Sequence, residues 1–88
     1  MKIKSGFAVK QIAGTWIVLP LAEKTIDFKG MLTLNDSGCM LWKLLVDGCT
    51  RNDLAEALVN EYDVTMAEAM DDVDEFLQTL VLVGCLDD

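Results

Sequence analysis

The sequence predicts an α+β domain, with a three-stranded antiparallel sheet followed by three helices. Three observations lead there. Two-residue alternation of apolar and polar side chains occupies the first part of the chain, and helical periodicity takes over after it. Two capping-box signatures, Thr50-x-x-Asp53 and Thr65-x-x-Glu68, mark helix starts in the second half. A chain of 88 residues, 52% apolar and 25% charged, is sized for one domain spanning 1–88 around one core.

The elements follow in order. Phe7, Val9 and Gln11 alternate with Ala8, Lys10 and Ile12, the pattern of a half-buried strand. Ala13-Gly14 is a tight break, and residues 15–19 are rich in β-branched and aromatic side chains, so the two runs read as a hairpin. Pro20 cannot donate to a ladder, which ends the second strand or confines it to an edge. Residues 21–30 show no period, and Ile26 and Phe28 are expected to tuck onto the core. Gly30 then precedes a third strand, residues 31–34.

The stretch 31–48, MLTLNDSGCMLWKLLVDG, is the one the rest is organised around. Asn35, Asp36 and Ser37 can accept the unpaired N–H groups of a helix start. A helix over 38–46 follows, and Gly48 suits its end. Lys43 is its one clearly polar residue, so the helix is expected to be buried all round. The second helix carries an apolar stripe of Leu54, Ala55, Leu58, Val59 and Tyr62. The third runs from Thr65 to residue 82, with Gly84 as its stop. Its apolar stripe is broad, and Glu68, Asp71, Asp72, Asp74 and Glu75 occupy its other face.

Composition removes several classes of function. No apolar run approaches the roughly 18–20 residues of a membrane span, which argues against a membrane partner. The N-terminus builds no apolar secretory segment, so a cytoplasmic location is expected. Cys39, Cys49 and Cys85 are odd in number and form no C-x-x-C pair, which disfavours a disulfide framework. With no histidine, a zinc site would need all three thiolates plus a carboxylate or water; the cysteines read instead as small buried hydrophobes. Neither a nucleophile elbow nor a phosphate loop is present, so no enzyme activity and no cofactor are expected.

Charge is uneven. Residues 1–49 hold six lysines and four acids, whereas residues 50–88 hold Arg51 and eleven acids. Helices two and three have a helix-turn-helix layout, which raises a DNA-binding or transcription-associated alternative. The third helix has five acids and neither lysine nor arginine, so it would be repelled by phosphates, and no nucleic-acid partner is expected.

Two features point to peptide binding. A third strand at a sheet edge offers free N–H and C=O groups to an added strand. On the third helix, Met66, Met70, Val73 and Leu77 form one line and Ala69, Phe76 and Leu80 another. Core packing accounts for such stripes, but methionines at a surface margin also suit a peptide groove.

The run Phe28-Lys29-Gly30-Met31-Leu32-Thr33-Leu34-Asn35-Asp36-Ser37-Gly38, then Leu41-Trp42-x-Leu44-Leu45 and Asp47-Gly48, resembles the PqqD family. Glu61-Tyr62-Asp63-Val64 and Asp72-Val73-x-x-Phe76-Leu77-x-x-Leu80 extend the resemblance over residues 6–86. It implies a winged helix-turn-helix-like, non-catalytic recognition element of ribosomally made, post-translationally modified peptide biosynthesis. In that family the leader segment of a precursor peptide docks as an extra strand between the third strand and the third helix. The domain then presents it to a modifying enzyme, often of the radical S-adenosylmethionine class. Carried over by position, the peptide-binding residues are Met31, Leu32, Thr33 and Leu34 on the strand and Met66, Met70, Val73, Asp74 and Leu77 on the helix. The acidic second half favours a leader of basic character. Monomer and homodimer both fit.

Overall fold

The computed structural model describes residues 1–4, 6–20 and 32–87. In chain order the elements are β1 (Lys2–Ile3), β2 (Phe7–Ile12), β3 (Thr15–Pro20), β4 (Leu32–Leu34), α1 (Asp36–Asp47), α2 (Arg51–Glu61), α3 (Met66–Val83) and β5 (Leu86–Asp87). The predicted α+β class holds: a three-stranded antiparallel sheet, ordered β2-β3-β4, precedes three helices. Met31, Ile26 and Phe28 lie outside the described residues.

The hairpin is in the register that its alternation requires. Val9 faces Val18 across β2 and β3, and Val18 faces Leu32 across β3 and β4. Directly opposed residues share a face. Phe7, Val9, Trp16, Val18, Leu32 and Leu34 therefore form the inner surface of the sheet, and all six belong to the core or pack against it. The turn places Ala13 at φ 52 and Gly14 at φ 81. Two successive left-handed residues match the right-handed twist of the flanking strands.

Helix α1 starts at Asp36, two residues earlier than the sequence suggests, because Asn35 alone serves as the cap. Its Oδ1 accepts the Gly38 N–H at 2.8 Å and the Ser37 hydroxyl at 2.9 Å, leaving Asp36 and Ser37 to form the first turn. Gly48 closes the helix at φ 94 and ψ 132, a backbone conformation that a side chain would oppose. The helix is not buried on all sides. Cys39, Leu41, Trp42 and Leu45 are buried, whereas Leu44 and Val46 are exposed. α1 packs against β1, β4 and α2, and this arc leaves one flank in water. Trp42 is the large anchor, meeting Phe7 edge to face at 6.4 Å between ring centroids.

Both capping boxes form. Thr50 and Asp53 exchange hydrogen bonds at the start of α2, and Thr65 and Glu68 do so at the start of α3. At the end of α3, Gly84 is left-handed. The Cys85 N–H donates to the Leu80 carbonyl at 2.9 Å and the Gly84 N–H to that of Val81 at 3.2 Å, which is a Schellman closure.

One feature has no counterpart in the sequence reading. β1 and β5 pair antiparallel, with Lys2 opposite Asp87 and Ile3 opposite Leu86. The Lys4 N–H extends the pairing to the Cys85 carbonyl at 2.8 Å. The Met1 ammonium donates to the Cys49 carbonyl at 3.1 Å, and the Cys49 N–H donates to the Met1 carbonyl at 3.0 Å. The two ends of the described chain are thus tied to each other and to the corner between α1 and α2. Two-residue strands are too short to show any period, so the pattern that reveals the other strands is silent here.

Candidate functional site

Strand β4 lies at an edge of its sheet, hydrogen-bonded to β3 on one side. Facing it across a groove of about 480 Å³ is α3. One wall is β4 and the corner that follows it: Leu32, Thr33 and Leu34, then Asn35, Ser37 and Gly38. Leu41 of α1 and Leu58 of α2, both almost fully buried, lie at the base. The opposite wall is Asp72, Glu75, Phe76 and Thr79 of α3.

The sequence builds each wall by a different device. Leu32 and Leu34 turn inward onto the core while Thr33 is exposed between them, so β4 is pinned through alternate side chains and its edge is held in place. The corner is fixed by the Asn35 cap. It is braced from β3, where the Trp16 Nε1–H donates to Asp36 Oδ1 at 3.2 Å and Lys43 Nζ lies 5.4 Å from the centre of the Trp16 ring. Gly38 fits because space there is short: a Cβ would sit 3.1 Å from Asn35 Oδ1 and 3.5 Å from Leu34. On α3, residues 72, 75, 76 and 79 fall at i, i+3, i+4 and i+7, one stripe of a helix.

Leu32, Thr33 and Leu34 therefore lie at the groove. The five helix residues named from the sequence do not line it. Val73 is fully buried, and Met70 and Leu77 are half-buried against the core. Met66 is exposed in the first turn of α3. Asp74 points to α2, where its carboxylate takes a two-pronged pair from Arg51, with Nη2 to Oδ2 at 2.7 Å and Nε to Oδ1. At about 100° per residue, Met66, Met70 and Leu77 and the groove stripe flank the core-facing line of Ala69, Val73 and Leu80 on opposite sides. Hydrophobicity marks the core face of a helix, whereas this groove wall is mostly polar. Phe76 is the one groove residue on α3 with an apolar signal, and it belonged to the second stripe read from the sequence.

The groove is electrostatically one-sided among the described residues. Asp72 and Glu75 are exposed on its helical wall, and no described lysine or arginine lines it. The Arg51 pair holds the Asp74 carboxyl below its usual range, chiefly through the side-chain hydrogen bond. Hydrogen bonds from Thr65 lower Glu68 similarly. Burial raises the Cys49 thiol and pushes Cys85 up to about 11, and Cys39 and Cys85 are both buried. Among the described residues no group of three or more histidine, cysteine, aspartate or glutamate side chains is placed to hold a metal ion. No helix among them is long and apolar enough to cross a membrane.

Comparison with known proteins adds three findings. A family model described as coenzyme PQQ synthesis protein D (PqqD) matches residues 15–86. The fold is similar to that of TbiB1, solved in complex with the TbiA(beta) leader peptide, with TM-score 0.71 and 25% identity over 92% of this chain and 88% of that one. It is also similar to a lasso peptide synthetase B1 solved with its leader peptide, with TM-score 0.74 and 23% identity over 96% of this chain and 93% of that one. No curated protein sequence matches the chain.

Proposed function

The chain belongs to the PqqD family, and from that premise we propose that it is a peptide-recognition module. It takes the leader segment of a ribosomally made precursor as an added strand on β4, in the groove against α3, and presents it to a modifying enzyme. The observation that carries this reading is the groove itself. A strand edge anchored on the core through Leu32 and Leu34 faces a helix across a groove of about 480 Å³. Backbone pairing supplies affinity in strand addition, and the groove walls supply selectivity. The two similar folds were solved with leader peptides, which supports the same use here.

The module works by binding. Its groove offers hydrogen-bonding backbone, an apolar base and carboxylates, and the enzyme it serves supplies the chemistry; a radical S-adenosylmethionine enzyme is the partner class that the family favours. The DNA-binding alternative is disfavoured by α3, whose acids Asp71, Asp72, Asp74 and Glu75 are all exposed.

The test is an NMR titration of the 15N-labelled chain with the leader of a short precursor encoded beside its gene. Amide shifts should concentrate at Leu32, Thr33 and Leu34 and at residues 72–79. In an antiparallel pair successive residues alternate between facing the neighbour and facing outward. Proline at Thr33 and proline at Leu32 should therefore weaken binding unequally, the larger loss marking the N–H that faces the guest. A titration that leaves β4 unmoved would overturn the reading.

A further inference from the structure

The groove's two kinds of wall say what sort of leader it fits. This inference rests on the strand-docking reading above and adds a sequence requirement to it. Phe76 and, beneath it, Leu41 and Leu58 form an apolar base. Asp72 and Glu75 stand on the same helical wall, about one turn apart and both to one side of Phe76, and no cation among the described residues pairs with either. Arg51, on the neighbouring α2, is committed to Asp74 on another face of α3. Asp71 and Glu75, four apart on the helix, repel each other in the free protein, so a cation entering the groove relieves an existing cost as well as gaining an attraction.

A guest strand on β4 directs every second side chain to the helix, and same-face positions are about 6.6 Å apart. Asp72 and Glu75 are separated by about 4.5 Å along the helix axis, so one long cationic side chain reaches both. Phe76, next to Glu75 on the same wall, offers an apolar contact to a neighbouring same-face position. We propose that the groove selects an extended peptide carrying a lysine or arginine two residues from an apolar side chain, the cation held by Asp72 and Glu75 and the apolar group by Phe76 and Leu41.

The experiment is a display selection of random short peptides on the full 88-residue chain at low salt, with the recovered peptides followed by NMR and by titration. Peptides should be enriched in a basic residue two positions from an apolar one and should shift the amides of Leu32–Leu34. The paired variant Asp72→Asn/Glu75→Gln should weaken them about 3- to 20-fold and flatten the salt dependence. Glu56→Gln, exposed on α2 and away from the groove, should leave them unchanged. Glu75→Lys should shift the selected pattern toward acidic residues. Because Asp72 and Glu75 are exposed, these variants should keep the native spectrum of α1 and the sheet. Peptides that shift β4 but show no basic preference, or bind the paired variant equally well, would overturn the charge requirement and leave strand docking standing. If no recovered peptide moves β4, strand docking falls and this requirement with it.

Discussion

Ala13 is the residue where the backbone is held against its preference. It sits at φ 52 in the two-residue turn between β2 and β3, beside Gly14 at φ 81. An L-residue with a Cβ loses roughly 1–2 kcal/mol in this conformation, which asparagine and glycine tolerate. Ala13→Asn or Ala13→Gly should therefore raise stability by about 0.5–1 kcal/mol. The readout is a higher urea midpoint at unchanged slope. An unchanged midpoint would mean that the turn relaxes without strain. Asn35 is the opposite case, a residue whose chemistry and place agree. Asn35→Ala leaves the Gly38 N–H without its acceptor and should cost about 1 kcal/mol, measured in the same way. The cap was legible in the sequence because asparagine before an apolar helical run has a known use. The turn was legible by position but not by conformation, since alanine carries no left-handed signal.

Among the elements, α3 divides its surface three ways: a core line, a flank holding the Arg51–Asp74 pair, and the groove stripe. The core line and the caps could be read from spacing and residue type. The groove stripe could not, because Asp72, Glu75 and Thr79 look like any solvated helix face until β4 is placed opposite them. The charges of α3 also govern how it responds to acid. Asp74 and Glu68 both have folded-state pKa values below their unfolded ones, through hydrogen bonds from Arg51 and Thr65. A depressed carboxyl contributes stability above the unfolded pKa, which is about 4, and loses it as pH falls through the folded value. The urea midpoint should hold from neutral pH to about 5 and drop below about 4. Asp74→Asn and Glu68→Gln should each flatten that drop. A drop of the same size in the double variant would show that carboxyls elsewhere control acid unfolding.

At the scale of the whole molecule, the pairing of β1 with β5 closes the fold. Ile3 and Leu86 are buried and directly opposed, and they join a core that also holds Val18, Leu45, Leu54 and Leu80. This closure was not legible because it joins the two ends of the sequence through strands of two residues each, where neither period nor composition gives a signal. Ile3→Ala and Leu86→Ala should each cost about 2–4 kcal/mol, a loss of transfer energy plus the cavity left behind. In a chain of this size each kcal/mol lowers Tm by roughly 4–8 °C. The two side chains are cross-strand partners, so the double variant should lose less than the sum of the singles, with a coupling of about 0.5 kcal/mol or more. Strict additivity would mean that each packs on the core independently and that the strand pair adds nothing. Neither residue lines the groove. Below their melting temperatures the same variants should bind a leader as the parent does, whereas Asp72→Asn/Glu75→Gln should melt close to the parent and bind less. That opposite pairing of effects is expected if the core and the terminal strands hold β4 and α3 apart at a fixed spacing, and the groove residues act only on what enters between them.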